Sequence, residues 1–110
     1  MTQSSIRIYL GDRVNGPQLT AKYAARGRRV PGMLLLDPAT AIEFVEEARV
    51  AGIRVYGLDG FLVTEGGIQP LQEYELDVER EADPHRVATE FLAGSEQQGL
   101  MFEVTISDAS

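Results

Sequence analysis

The side chains that could do chemistry in this chain of 110 residues are few in kind. It has no cysteine, which excludes disulfides, thiolate metal sites and cysteine nucleophiles. His85 is the single imidazole, so no site can draw two from one chain. It follows Pro84 in the first turn of an expected helix, a position that ordinarily faces solvent. A histidine base needs an orienting acid and a nucleophile beside it, and Asp83 is better suited to cap the helix. His85 is therefore read as exposed and without a functional role. No G-x-S-x-G elbow, phosphate-binding glycine loop or histidine metal spacing occurs. Carboxylates remain, seventeen of them. Acid–base chemistry would require one with a raised pKa in an apolar pocket, whereas these acids fall on strongly polar stretches. The chain is read as a non-enzyme, with no cofactor and no metal ligand set.

The arrangement of the acids says more than their number. Over Gln72–Arg80, Glu73, Glu75, Asp77 and Glu79 alternate with Tyr74, Leu76 and Val78. On a strand that alternation places the four acids in one row, and Glu81 and Asp83 continue it into the next connection. Neighbours in such a row lie about 7 Å apart and repel by roughly 0.6 kcal/mol in water before screening. Folding alone does not ask for this. A basic partner would turn the repulsion into attraction and speed association. The plainer alternative is a solvated face, or an edge strand whose charges discourage aggregation. A calcium site fits poorly, because calcium needs carboxylates wrapped around one ion rather than drawn out in a line.

Charge is also divided along the chain. Residues 1–36 carry six basic side chains and one acid, a sum of +5, and residues 37–110 sum to −12, which gives the net −7. The acidic body argues against nucleic acid, whose phosphates need a basic surface. The basic arm, Lys22 to Arg29, either marks a partner surface or lies against the acidic body of its own molecule. No basic lead, long apolar stretch or cleavage site marks Met1–Leu10, and the longest apolar run is Met33–Leu36. A cytoplasmic protein without a membrane span is the expectation.

The elements that must position these residues follow from punctuation and period. Ser5–Leu10 alternates as a strand, Asn15-Gly16-Pro17 reads as a turn, and Gln18–Arg26 as a short helix. Met33–Leu36 reads as a strand buried on both faces. Asp37 caps and Pro38 opens a helix whose inner face is Ala41, Phe44, Val45 and Ala48, closed by Gly52. Glu43, Glu46 and Glu47 lie on its outer side. Ile53–Leu58 and Phe61–Thr64 read as strands around an Asp59-Gly60 hairpin turn. Gln69-Pro70 reads as another turn, followed by the acidic strand. Asp83-Pro84 opens a second helix with Val87, Ala88, Phe91 and Leu92 inward, closing at Gly99, and Leu100–Ile106 is the last strand. One domain of α+β class is expected, with residues 1–32 an N-terminal strand and basic arm. Residues 33–107 form a β-α-β-β-α-β body. That order is the ferredoxin-like, split βαβ sandwich, with two helices on one face of an antiparallel sheet.

Within Ala41–Val78, the run Ala41-Ile42-Glu43-Phe44, the helix stop Gly52-Ile53-Arg54-Val55, the turn Gly57-Leu58-Asp59-Gly60-Phe61 and Gln69-Pro70 resemble small immunity proteins of bacterial polymorphic toxin systems. The resemblance implies a cytosolic α+β domain that binds and neutralises a cognate toxin domain. It covers about a third of the chain, and its motifs are structural, so no contact residue is carried over. With the acidic row, it leads to one expectation: an inhibitor that occludes a basic toxin domain through Glu73, Glu75, Asp77 and Glu79, helped by Asp59, Glu65 and Glu81. A homo-oligomeric small-ligand-binding or regulatory domain, with a homodimer left open, is the alternative. Tyr23, Tyr56 and Tyr74 are candidate interface anchors, with core packing an equally good explanation for Tyr56 and Tyr74.

Overall fold

Asn15 starts the first helix rather than a turn. Its side-chain oxygen accepts from the Gln18 backbone N–H (2.9 Å), and the Gln18 side chain accepts from the Asn15 N–H (3.0 Å). This reciprocal capping box opens α1, Gly16–Tyr23, and a short 3-10 turn, Ala24–Arg26, continues it. The computed structural model describes residues 14–95 and 97–107. The strand expected at Ser5–Leu10 lies outside the described residues.

Two short strands follow, β1 (Arg28–Val30) and β2 (Met33–Leu35), paired antiparallel around Pro31-Gly32. Asp37 then caps α2, Pro38–Ala51, by accepting from the Thr40 N–H at 2.8 Å. Gly52 ends it in the left-handed region at φ 75°, where a side chain would be strained. The buried face of α2 is the expected one, Ala41, Phe44, Val45 and Ala48. Beyond it come β3 (Val55–Thr64), β4 (Gly67–Asp77), α3 (Pro84–Ala93) and β5 (Leu100–Ile106). Asp83 caps α3 by accepting from the Arg86 N–H, and the helix stops at Gly94, short of the expected Gly99.

The sheet order is β4-β3-β5, all antiparallel. Leu36 joins its far side through a two-bond bridge to Phe102 on the outer edge of β5 (2.8 and 2.7 Å). Helices α2 and α3 pack on each other, α2 against β5 and α3 against β3, so both cover one face. The class is thus α+β, with the expected element order across 33–107. The finer ferredoxin-like order is not what the pairing shows. Both crossovers are split: β4 and β5 flank β3, and the strand before α2 and β3 flank β5. A ferredoxin-like sheet keeps its first and third strands central, whereas here the second and fourth, β3 and β5, are central. The reason is length: β2 has three residues before Asp37 turns the chain into α2, too few to hold the middle of a sheet.

The Asp59-Gly60 pair is not a turn, which corrects the reading of two short strands. Both residues lie within the ten-residue β3. Gly60 is there because Tyr74 presses on it; a Cβ at that position would sit 2.4 Å from the Tyr74 Cβ. The hairpin turns instead at Glu65-Gly66, entering β4 at Gly67 with φ 143°. Pro70 likewise lies inside β4, tolerated on an edge strand that can spare a ladder bond. Between Asp59, opposite Glu75, and Gly60, opposite Leu71, residues 72–74 are extra and bulge. The bulge delivers Tyr74 to the core, edge-on to Phe91 and Phe102 with centroids 6.3 and 6.2 Å away.

Candidate functional site: the open face of the sheet

The face of the sheet away from the helices carries the acids. In β3, Leu58 and Gly60 are buried under the helices, and the alternation turns Gly57, Asp59 and Phe61 the other way. Asp59 stands in register with Glu75 on β4 and Glu103 on β5. Three carboxylates therefore sit abreast on three adjacent strands. Directly opposite side chains on neighbouring strands have Cβ atoms about 5 Å apart, and like charges there oppose pairing. The cost is visible at Glu103. Its carboxyl is half-buried and pushed above its ordinary value of 4.5, by burial first and then by the charge of Asp59.

One residue pair along, Gly57 lies opposite both Asp77 and Thr105. It can only be glycine, because a Cβ would meet the Leu76 carbonyl oxygen at 2.7 Å. The missing side chain leaves a shallow, open depression of about 410 Å³, bordered by Tyr56, Asp59, Glu75, Asp77 and Thr105. Tyr56 sits at an irregularity in the β3–β5 pairing and is 36% exposed.

The expected acidic residues are thus partly gathered and partly scattered. Glu75 and Asp77 face the open side, and Asp59, expected in a turn, joins them from the central strand. Glu73 falls in the bulge, so the straight row is broken after Glu75. Glu79 and Glu81 lie past the end of β4, not on a strand to Arg80 as expected. There Asp77 accepts from the Glu79 N–H (2.9 Å) and bends the chain, and the Arg54 guanidinium donates to the Glu79 and Glu81 carbonyls (2.6 and 3.3 Å). Glu65 is at the hairpin turn, about 20 Å along β3 from Asp59. Glu103 was missed. Its signal was present in Met101-Phe102-Glu103-Val104, a lone acid pointing opposite to core residues.

No family model matches the chain, and no curated protein or solved structure is similar to it. Its own geometry has to carry the reading of function.

Half of the basic arm from Lys22 to Arg29 is spent inside the molecule. Lys22 pairs with Glu47 (2.8 Å) and Arg26 with Glu43 (2.9 Å). The Tyr23 hydroxyl donates to Glu47 (2.6 Å), its ring meets Phe44 edge-on at 5.3 Å, and the Arg26 guanidinium lies over that ring at 5.2 Å. Arg26 holds the Glu43 carboxyl below its ordinary value, and Lys22 with Tyr23 does the same for Glu47. Burial and then Glu47 push the Tyr23 hydroxyl up to about 12. Of the two readings of the arm, packing against its own body holds for Lys22 and Arg26. Arg28 and Arg29 lie exposed on β1.

His85 is half-buried rather than exposed. Its Nε2 faces the Ile53 carbonyl oxygen at 2.7 Å; a carbonyl only accepts, so Nε2 carries the proton and donates. The ring fastens the start of α3 to the α2–β3 connection. Among the described residues no three acidic or histidine side chains converge to hold a metal ion. Nor is any described helix long and apolar enough to cross a membrane.

Proposed function

We propose that this protein binds a basic protein partner on the open face of its sheet, acting as an immunity-type inhibitor that covers the cationic cleft of a toxin domain. One observation carries the reading: Asp59, on the central strand, is flanked in register by Glu75 and Glu103. Acids on β4 have a local explanation. That strand is the sheet edge, and charges, a bulge and Pro70 all discourage edge-to-edge pairing. Edge protection does not explain an acid on the central strand. Cations from a partner would offset both the mutual repulsion and the desolvation of Glu103. Tyr56, beside the depression, supplies the aromatic contact that interface centres favour.

Co-expression with a toxin domain encoded beside its gene tests the reading. The native chain is expected to restore growth, and the double variant Asp59→Lys with Glu75→Lys is expected to lose that protection. Glu46→Lys with Glu90→Lys, the same charge change on the helices, should retain it. Protection by the sheet-face variant would remove this face from the mechanism.

A further inference from the structure

The open face of the sheet is acidic over only part of its length. Toward the β3–β4 hairpin it turns apolar, with Phe61 in register with Pro70 on β4 and with Met101 on β5, and Val63 in register with Ile68. Alternation puts Phe61 on the same side as Asp59, and Phe61 lies outside the core against which Leu71, Tyr74 and Leu76 pack. Between the acidic and apolar parts, the bulge at 72–74 interrupts the β3–β4 ladder. A half-enclosed cavity of about 230 Å³ opens there, bordered by Asp59, Phe61, Pro70, Gln72 and Glu75. It is smaller than the sites that hold drug-sized ligands and is on the scale of one long side chain.

We propose that this cavity receives an arginine side chain of the basic partner, its methylene stem on Phe61 and Pro70 and its guanidinium between Asp59 and Glu75. Resting on the partner reading above, this names the side chain that anchors the partner. Phe61 and Asp59 are two residues apart on β3, about 7 Å, an interval that a long basic side chain covers with its stem on apolar surface and its charge beyond. Asp59 and Glu75 stand directly opposite each other, and neither makes an ion pair within the described residues. A planar guanidinium, with donors along its edges, answers two such carboxylates at once, where an ammonium is a point charge. The Phe61 ring adds its own attraction for a guanidinium. A neutral apolar occupant would cover the wall and strip water from two unpaired carboxylates. A bare cation would leave Phe61 and Pro70 uncovered, and among the described residues no three acids or histidines converge to hold a metal ion. A second copy of this chain carries exposed Arg28 and Arg29, but it also carries the same net charge of −7, which opposes its approach.

The test is an NMR titration of the full chain with N-acetyl-arginine methylamide. N-acetyl-citrulline methylamide, which keeps the stem without the charge, and guanidinium chloride, which keeps the charge without the stem, are the controls. The arginine probe is expected to half-saturate at about 1–10 mM, with amide shifts centred on Asp59, Phe61, Leu71 and Glu75. Both controls should bind about fivefold or more weakly, and Phe61→Thr and Glu75→Gln should each weaken the arginine probe by a similar factor. Phe61 lies outside the core and Glu75 is exposed, and circular dichroism checks that both variants fold. The proposal is overturned by no saturation at about 50 mM arginine probe, by either control binding equally well, or by both variants binding like the native chain. A concentration-dependent dimer in sedimentation, weakened by Arg28→Gln or Arg29→Gln, would put a second copy in the cavity and overturn it as well. The titration uses no partner, so its failure is distinct from failure of the partner reading. No saturation, with protection still lost in Asp59→Lys with Glu75→Lys, overturns the cavity alone. Saturation with protection retained upholds the cavity as an arginine site and overturns the partner.

Discussion

Two groups of acids in this molecule have opposite surroundings. On α2 each exposed acid has its own cation: Glu43 with Arg26, Glu46 with Arg49, Glu47 with Lys22. Across the sheet, Glu75, Asp59 and Glu103 have one another. The residue types are the same, and the shifts run in opposite directions, with Glu43 and Glu47 lowered and Glu103 raised. The fold accounts for the first group, since Glu43 and Glu47 dock the basic arm onto the body and Glu46 pairs within its own helix. It does not account for the second, and an arrangement that opposes folding without serving it is where binding is to be sought.

That contrast can be broken at its scaffold. Gly60 lets Tyr74 cross the central strand and keeps Asp59 in register with both neighbours. Gly60→Ala would place a Cβ 2.4 Å from the Tyr74 Cβ and 3.2 Å from the Phe102 ring. It is expected to cost about 2 kcal/mol in urea denaturation, as overpacking of a core does. A loss within a few tenths would mean that Tyr74 is free to move aside.

The helix side should lose stability when its acids or their partners are neutralised. Tyr23→Phe removes the hydroxyl that donates to Glu47 and is expected to cost about 1 kcal/mol at neutral pH. The pH dependence follows from the raised Tyr23 pKa. A tyrosine that holds its proton more tightly when folded contributes its stability in full below the ordinary value of 10. That stability is lost as pH rises through about 12. Tyr23→Phe should flatten this alkaline limb, and an unchanged limb would place the effect elsewhere.

The sheet side should respond with the opposite sign. Glu103→Gln is expected to stabilise the protein by a few tenths of a kcal/mol at neutral pH, the scale of one like-charge cross-strand pair. The folded pKa of Glu103 is raised, so its favourable contribution exists below the ordinary 4.5 and is lost as pH rises through the folded value. The gain from glutamine should therefore vanish in acid. Thermal melts at neutral and acid pH read both halves of this expectation, and a destabilised variant at neutral pH would erase the contrast with α2.

How much of this was legible before folding depends on whether the signal was local. Asp37-Pro38, Asp83-Pro84 and Gly52 do their work within one turn of helix, and both long helices begin where those residues place them. Asp59-Gly60 carries an equally strong local signal for a turn, yet Gly60 serves close packing by a tyrosine fourteen positions away. The bulge at 72–74 leaves only a slight mark, two polar residues in succession at Gln72-Glu73, before the alternation of acid and apolar residues resumes at Tyr74. Of the candidate site, Glu75, Asp77 and Asp59 could be named from the sequence, but their alignment could not. Strand register is set by the partner strands, and a straight row from Glu73 to Glu79 assumed none. Glu103 was within reach as the one acid of the strand Leu100–Ile106.

The most direct test is the association rate with the partner recovered by co-expression, measured by stopped flow at low and moderate salt. The account predicts that Asp59→Lys with Glu75→Lys slows association about tenfold or more at low salt and flattens the salt dependence. Glu46→Lys with Glu90→Lys, equal in net charge, should leave the rate within about twofold. An equal loss in both variants would mean that overall charge, not the three carboxylates abreast on the sheet, guides the partner. No loss in either would contradict the account outright.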